Sequence, residues 1–118
     1  METLCKIRDI YRAVVRYEAE FQKVYHLCLN EGMLLCSLSS VEQLSSGEIA
    51  EQLELTASNA SKVILSVEKK GYISRTLGQS DKRQMYFSLT AEGRNRLAEI
   101  KCSTIELPWE LKQIIPGV

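Results

Sequence analysis

The sequence predicts a mainly α fold with a small two- or three-stranded β-wing, arranged as a winged helix-turn-helix flanked by N- and C-terminal helices. Three observations lead there. Two short capped helical patterns follow one another within residues 45–70, two runs alternating apolar and polar residues come directly after them, and the opening 25 residues repeat apolar positions at helical spacing.

In the opening segment Leu4, Ile7, Tyr11, Val14, Phe21 and Tyr25 form a heptad-like seam interrupted at Glu18, with Ile10, Tyr17 and Val24 in a row beside it. A helix of about 24 residues, on the order of 36 Å long, follows from that spacing. Asn30 is the expected cap of a second, buried helix carrying Met33, Leu34, Leu35, Cys36 and Leu38. In "SSGEIAEQLEL", Ser45 and Glu48 have the spacing of a capping box, and Ile49, Ala50 and Leu53 form an inward stripe ending near Glu54. Thr56 then caps a helix over about residues 57–70, with Ala60, Val63, Ile64 and Val67 inward and Gly71 as its left-handed stop.

Beyond Gly71, "YISRTL" and "QMYFSL" alternate with period two and place Met85, Phe87 and Leu89 on one face, with a polar tip at about residues 77–84 between them. Thr90 caps a helix expected to run to about Ser103, and Pro108 suits the first turn of a short last helix. A ribbon this small must lean on helices.

At 118 residues, with 45% hydrophobic and 25% charged residues, one domain is expected over 1–118, with residues 30–90 as its winged core. No apolar run is long enough for a membrane span and the N-terminus lacks an apolar signal region, so a cytoplasmic, membrane-free protein is expected. Cys5, Cys28, Cys36 and Cys102 form no CxxC pair and are joined by a single His, which argues against a structural metal and suggests four small buried thiols. His26 has no Ser, Cys or Asp partner at a nucleophilic spacing, so the residues point to neither an enzyme nor a cofactor.

Net charge is zero, yet it is unevenly distributed. Residues 1–55 hold 5 Lys/Arg against 9 Asp/Glu, a balance of −4, whereas residues 56–96 hold 8 against 3, a balance of +5. That excess coincides with the helix after Thr56 and the wing, and duplex DNA is the partner it fits. Pointing away from the apolar stripe of that helix are Ser58, Asn59, Ser61, Lys62 and Ser66, residues able to bond base edges or to let the helix approach them closely. Thr56 sits where backbone N–H groups meet a phosphate, and Lys82 and Arg83 in the wing suit phosphate or minor-groove contact. Arg75 is a further backbone-contact candidate, as are Lys69 and Lys70. The competing reading is a winged-helix protein-interaction module that uses the same face without binding DNA.

Residues 44–97, "LSSGEIAEQLELTASNASKVILSVEKKGYISRTLGQSDKRQMYFSLTAEGRNRL", resemble the multiple-antibiotic-resistance regulator (MarR) family of winged-helix transcription factors, above all in "EKKGYI", "SDKR" and "SLTAEG". The resemblance implies a transcriptional regulator, often a repressor. It also implies a homodimer held by residues 1–29 and 91–118, and pseudopalindromic duplex DNA. It further implies that Asp81 pairs with Arg83 or Arg75 to shape the wing. In some members a Cys near the start of the first helix senses oxidants, which makes Cys5 a candidate redox sensor beside Lys6 and Arg8. Small-molecule effectors are a family habit, and Tyr11, Tyr17, Tyr25 and Trp109 are candidate lining residues, although aromatic residues at this spacing are also ordinary packing.

Overall fold

In the computed structural model, which describes residues 2–78 and 83–117, the helix periodicities of the sequence are realised almost to the residue. The order is α1 (Glu2–Tyr25), α2 (Leu29–Ser39), β1 (Leu44–Ser45), α3 (Ser46–Leu53), α4 (Ala57–Lys69), β2 (Ile73–Leu77), β3 (Met85–Leu89), α5 (Ala91–Lys101) and α6 (Trp109–Lys112). These elements group into two compact units, residues 1–29 with 103–118, and residues 30–102.

In the first unit α1 is 24 residues long and buries Ala13, Phe21 and Tyr25. Phe21 and Tyr25 meet at 5.0 Å between ring centroids, so the C-terminal part of the predicted seam is packed. Its N-terminal part is not: Leu4, Ile7 and Tyr11 are 58%, 56% and 64% exposed. The helix stops at His26, which takes the left-handed conformation at φ 58° usually reserved for glycine. Arg16 ties α1 to α6 through paired bonds from Nη2 to both Glu110 oxygens at 3.1 Å.

Capping of α2 differs from expectation. Asn30 lies inside the helix, and the backbone N–H of Leu29 donates instead to the Glu18 carboxylate at 2.9 Å. The residue that breaks the seam of α1 therefore satisfies an orphan donor at the start of α2.

The second unit is built on Leu34, Leu35 and Leu38 of α2, Ile49 of α3, Ala60, Ile64 and Val67 of α4, and Ile73 and Phe87 of the sheet, all buried. Met33 and Cys36, expected inside, are exposed on α2. Both halves of the predicted capping box are present: Glu48 N–H donates to Ser45 Oγ at 3.2 Å and Ser45 N–H to Glu48 Oε1 at 2.8 Å. Glu54 closes α3 in the left-handed region at φ 54°.

The sheet has three antiparallel strands in the order β1-β3-β2. β1 is two residues long, pairing Leu44 with Phe87 and Ser45 with Tyr86, too short to leave any periodic trace in the sequence. Strands β2 and β3 pair from Ile73 with Leu89 to Leu77 with Met85, and Gly78 N–H donates to Gln84 O at 2.8 Å just beyond. α5 starts on the predicted Thr90 cap, ends at Lys101 and packs on β3.

Candidate nucleic-acid interface

The local chemistry that starts α4 also shapes the proposed reading surface. Thr56 Oγ1 accepts the N–H of Asn59 at 3.1 Å, which fixes the first turn and places the remaining N-terminal donors at an exposed helix end. With Ala60, Ile64 and Val67 buried, the 100° step of the helix turns Ser58, Lys62, Leu65 and Lys69 to the opposite side, with Ser61 and Asn59 flanking them. Thr56, Ser58, Asn59, Ser61 and Lys62 are all exposed.

Ser66 requires a correction. It is half-buried, and its hydroxyl donates at 2.6 Å to Oε2 of Glu31, a carboxylate buried on α2. Lys70 Nζ reaches the same oxygen at 2.7 Å and Ser66 Oγ at 3.1 Å. Ser66 lies near the edge of the outward arc, where the side chain turns toward α2 once α2 supplies an acceptor. Lys70 is drawn in with it, so this pair anchors the helix rather than facing outward. The sequence signal for Glu31 was weak, because a lone carboxylate among apolar residues gives no sign of its partners 35 and 39 residues away.

Arg75 is likewise committed. Its Nε and Nη2 each donate at 2.6 Å to the two oxygens of Glu68 on α4, a bidentate pair. Its guanidinium carbon stands 5.5 Å from the centre of the Phe87 ring, its cross-strand partner. The register puts Arg75 on the sheet face shared with Ile73 and Phe87, not on the one carrying Ser74 and Thr76. The Arg75 hydrogen bonds hold the Glu68 carboxyl below the ordinary glutamate range against a smaller opposing effect of burial, and Glu68 in turn raises the guanidinium. The pair braces β2 against the reading helix. The expected pairing of Asp81 with Arg75 thus meets a competitor in Glu68, while Asp81 itself and Lys82 lie outside the described residues. Arg83 is exposed at the start of the returning wing arm.

The motif "SLTAEG" has a physical explanation at the wing base. Thr90 Oγ1 donates to Gly71 O at 2.7 Å and accepts Gly93 N–H at 3.0 Å, while Thr90 N–H donates to Tyr72 O at 3.1 Å. One threonine joins the end of α4, the entry to β2 and the start of α5. Gly93 is needed because a Cβ there would lie 2.1 Å from the Tyr72 carbonyl oxygen.

The other expectations fare unevenly. Cys5, Cys36 and Cys102 are exposed and Cys28 is intermediate, so the thiols are not the four buried hydrophobes expected. Helix α1 carries Cys5 on its open first turns, where Lys6 pairs with Glu2 at 3.4 Å and Arg8 with Asp9 at 3.2 Å. The aromatic residues do not converge: Tyr17 and Trp109 border one open hollow of about 390 Å³, Tyr25 another of about 430 Å³, and Tyr11 a third of about 490 Å³. Burial, with a smaller push from Tyr25, raises the Tyr17 phenol. Among the described residues no three His, Cys, Asp or Glu side chains stand close enough to hold a metal, and no helix is long and apolar enough to cross a membrane.

Residues 32–103 match the family model described as a winged helix DNA-binding domain. The chain belongs to that family. It is 39% identical over 77 residues to the HTH-type transcriptional regulator PapX of Escherichia coli, a match covering 64% of this chain and 47% of PapX. The chain spans about half the length of the E. coli relatives it matches. Its fold is similar to the transcriptional regulator BldR of Sulfolobus solfataricus, with a TM-score of 0.81 at 23% identity over 99% of this chain and 84% of that one. It is also similar to MepR of Staphylococcus aureus in a DNA complex, with a TM-score of 0.68 at 20% identity over 81% of this chain and 79% of that one. The resemblance of residues 44–97 to MarR-type regulators is borne out at the level of the family.

Proposed function

We propose that the chain is a homodimeric transcriptional regulator, of repressor type, that binds pseudopalindromic duplex DNA with one winged unit on each half-site. The observation that carries the reading is the outward face of α4, where exposed Ser58, Asn59, Ser61 and Lys62 surround a helix start capped by Thr56. Short hydroxyls admit the helix to the major groove, Asn59 offers a bidentate partner for adenine, and Lys62 offers a donor for guanine or phosphate. Arg83, with Lys82 beside it in the sequence, reaches the backbone or the minor groove from the wing. Lys70 and Arg75 are neutralised within the unit, so binding rests on fewer cations than the segment's charge balance implies.

The exposed stripe of Leu4, Ile7 and Tyr11 on α1 supports a second copy as its cover, because an apolar seam of this kind on a long helix suits a helical partner. Two copies then present their reading helices about one helical turn, or 34 Å, apart. A small molecule, or oxidation of Cys5 in the first unit, acts by changing that separation.

The test is duplex binding as a function of salt. Affinity for a duplex enriched from a random pool falls steeply between about 50 and 200 mM salt if phosphates are neutralised. Failure to bind any duplex at low salt refutes the reading and leaves a protein-interaction module.

A further inference from the structure

The reading face of α4 carries one large apolar side chain. Leu65 is 47% exposed, and the helix step places it on the outward arc between Ser61 and Ser58, on the side away from Ala60, Ile64 and Val67. A scattered exposed leucine needs no explanation. This one is set apart by its neighbours, which on that face are serines and lysines and present no rival apolar bulk. Leucine also does nothing for a phosphate and nothing for the hydrogen-bonding edges of guanine, cytosine or adenine. The one apolar group in the major groove is the 5-methyl of thymine.

Resting on the DNA-binding reading above, we propose that Leu65 is a specificity-determining residue that packs against a thymine methyl in each half-site. Residues 58 and 65 are seven apart, a rise of about 10 Å along the helix axis, equal to about three base steps. Ser58 at the helix start and Leu65 two turns later therefore address separate base pairs, at most about three apart for a helix inclined along the groove. Lys62 and Lys69, one helical turn before and after Leu65 on the same face, hold the adjoining backbone. The serines matter for the same contact: Ser58 and Ser61 are short enough to let the branched end of Leu65 approach the groove floor.

The experiment uses the full chain and duplexes enriched from a randomised pool. Each thymine of an enriched duplex is replaced singly by deoxyuridine, which keeps every hydrogen-bonding group and removes only the methyl, and affinity is read by fluorescence anisotropy. At one thymine per half-site the expected loss for the unmodified protein is about fourfold, the worth of one buried methyl group. Leu65→Ala binds the thymine duplex more weakly and shows no further loss on the uracil duplex, whereas Leu65→Met retains most of the discrimination. Because the side chain is half exposed and alanine is the better helix former, the alanine variant folds, and circular dichroism verifies it. Equal uracil penalties in the unmodified protein and Leu65→Ala, or no penalty at any thymine, overturn the contact while leaving DNA binding intact. Failure to enrich any duplex overturns both.

Discussion

Replacing Gly93 by alanine tests the account of how the wing is fixed to the reading helix. The added Cβ stands 2.1 Å from the Tyr72 carbonyl oxygen, 3.0 Å from its carbon and 3.1 Å from Leu89 Cδ2. Ordinary carbon–oxygen contact lies near 3.3 Å, so the start of α5 and the entry to β2 must separate by about 1 Å. Neither side is free to move. Tyr72 O accepts from Thr90, and the N–H groups of Gly71 and Tyr72 return to Glu68 O and Val67 O on α4 at 3.0 and 3.3 Å. The separation strains or breaks the Thr90 bonds to Tyr72 O and Gly71 O, at about 1 kcal/mol each. Overpacking adds about 2 kcal/mol, and the better helix propensity of alanine returns about 1 kcal/mol. The expected net loss is about 3 kcal/mol, or about 12 °C in the midpoint of thermal unfolding. Urea and thermal denaturation followed by circular dichroism measure it, with Asn95→Ala on the exposed side of the same helix as the control. A Gly93→Ala protein within about 0.5 kcal/mol of the parent overturns this packing, since no rearrangement that relieves a 2.1 Å approach to backbone is that cheap.

Thr56→Ala removes the acceptor for Asn59 N–H and should cost about 1 kcal/mol in chemical denaturation, with a larger proportional loss in DNA affinity because the frayed turn holds Ser58 and Asn59. Asn59→Ala should change which sequences are enriched, while Arg83→Ala should weaken all duplexes about equally and flatten the salt dependence; equal small effects would contradict both roles. Glu68→Gln tests the brace with Arg75. The folded carboxyl is held below its unfolded value of about 4.3, so the brace contributes fully above that pH and fades as pH falls through the lower folded value. The stability gap between the parent and Glu68→Gln should therefore narrow below about pH 4.3, and a gap unchanged down to the acid transition would show that the pair contributes nothing through ionisation.

Helices, caps and strand alternation were legible in the sequence because they arise from neighbours within a few residues. The capping box of Ser45 and Glu48, the Thr56 and Thr90 caps and the left-handed Gly71 are all short-range chemistry, and each occurs where its spacing put it. The same holds for most of the reading face, since a 100° helix step and an apolar stripe are enough to turn Ser58, Ser61 and Lys62 outward. Residues near the edge of the arc are different. Ser66 turned to Glu31 and Arg75 to Glu68 because partners 35 and 7 residues away stood within bonding distance only after packing. The same helix step turns Leu65 outward, but a search of that face for hydrogen-bonding and cationic side chains passes over an apolar one.

By itself, then, the chain's order of residues determined which long segments coil, which two form the ribbon, where α3, α4 and α5 begin, and that positive charge gathers in the winged half. Tertiary structure decided which of those charges remain available, by bringing Glu31 and Glu68 against Lys70 and Arg75, and which cap α2 uses, by bringing Glu18 to Leu29. It also added β1, whose two residues become a strand only because Tyr86 and Phe87 lie alongside. The physical reason is one of range: torsional preference and capping act over a single turn, whereas the cost of an unpaired buried polar group is settled by whatever the fold carries within about 3 Å of it.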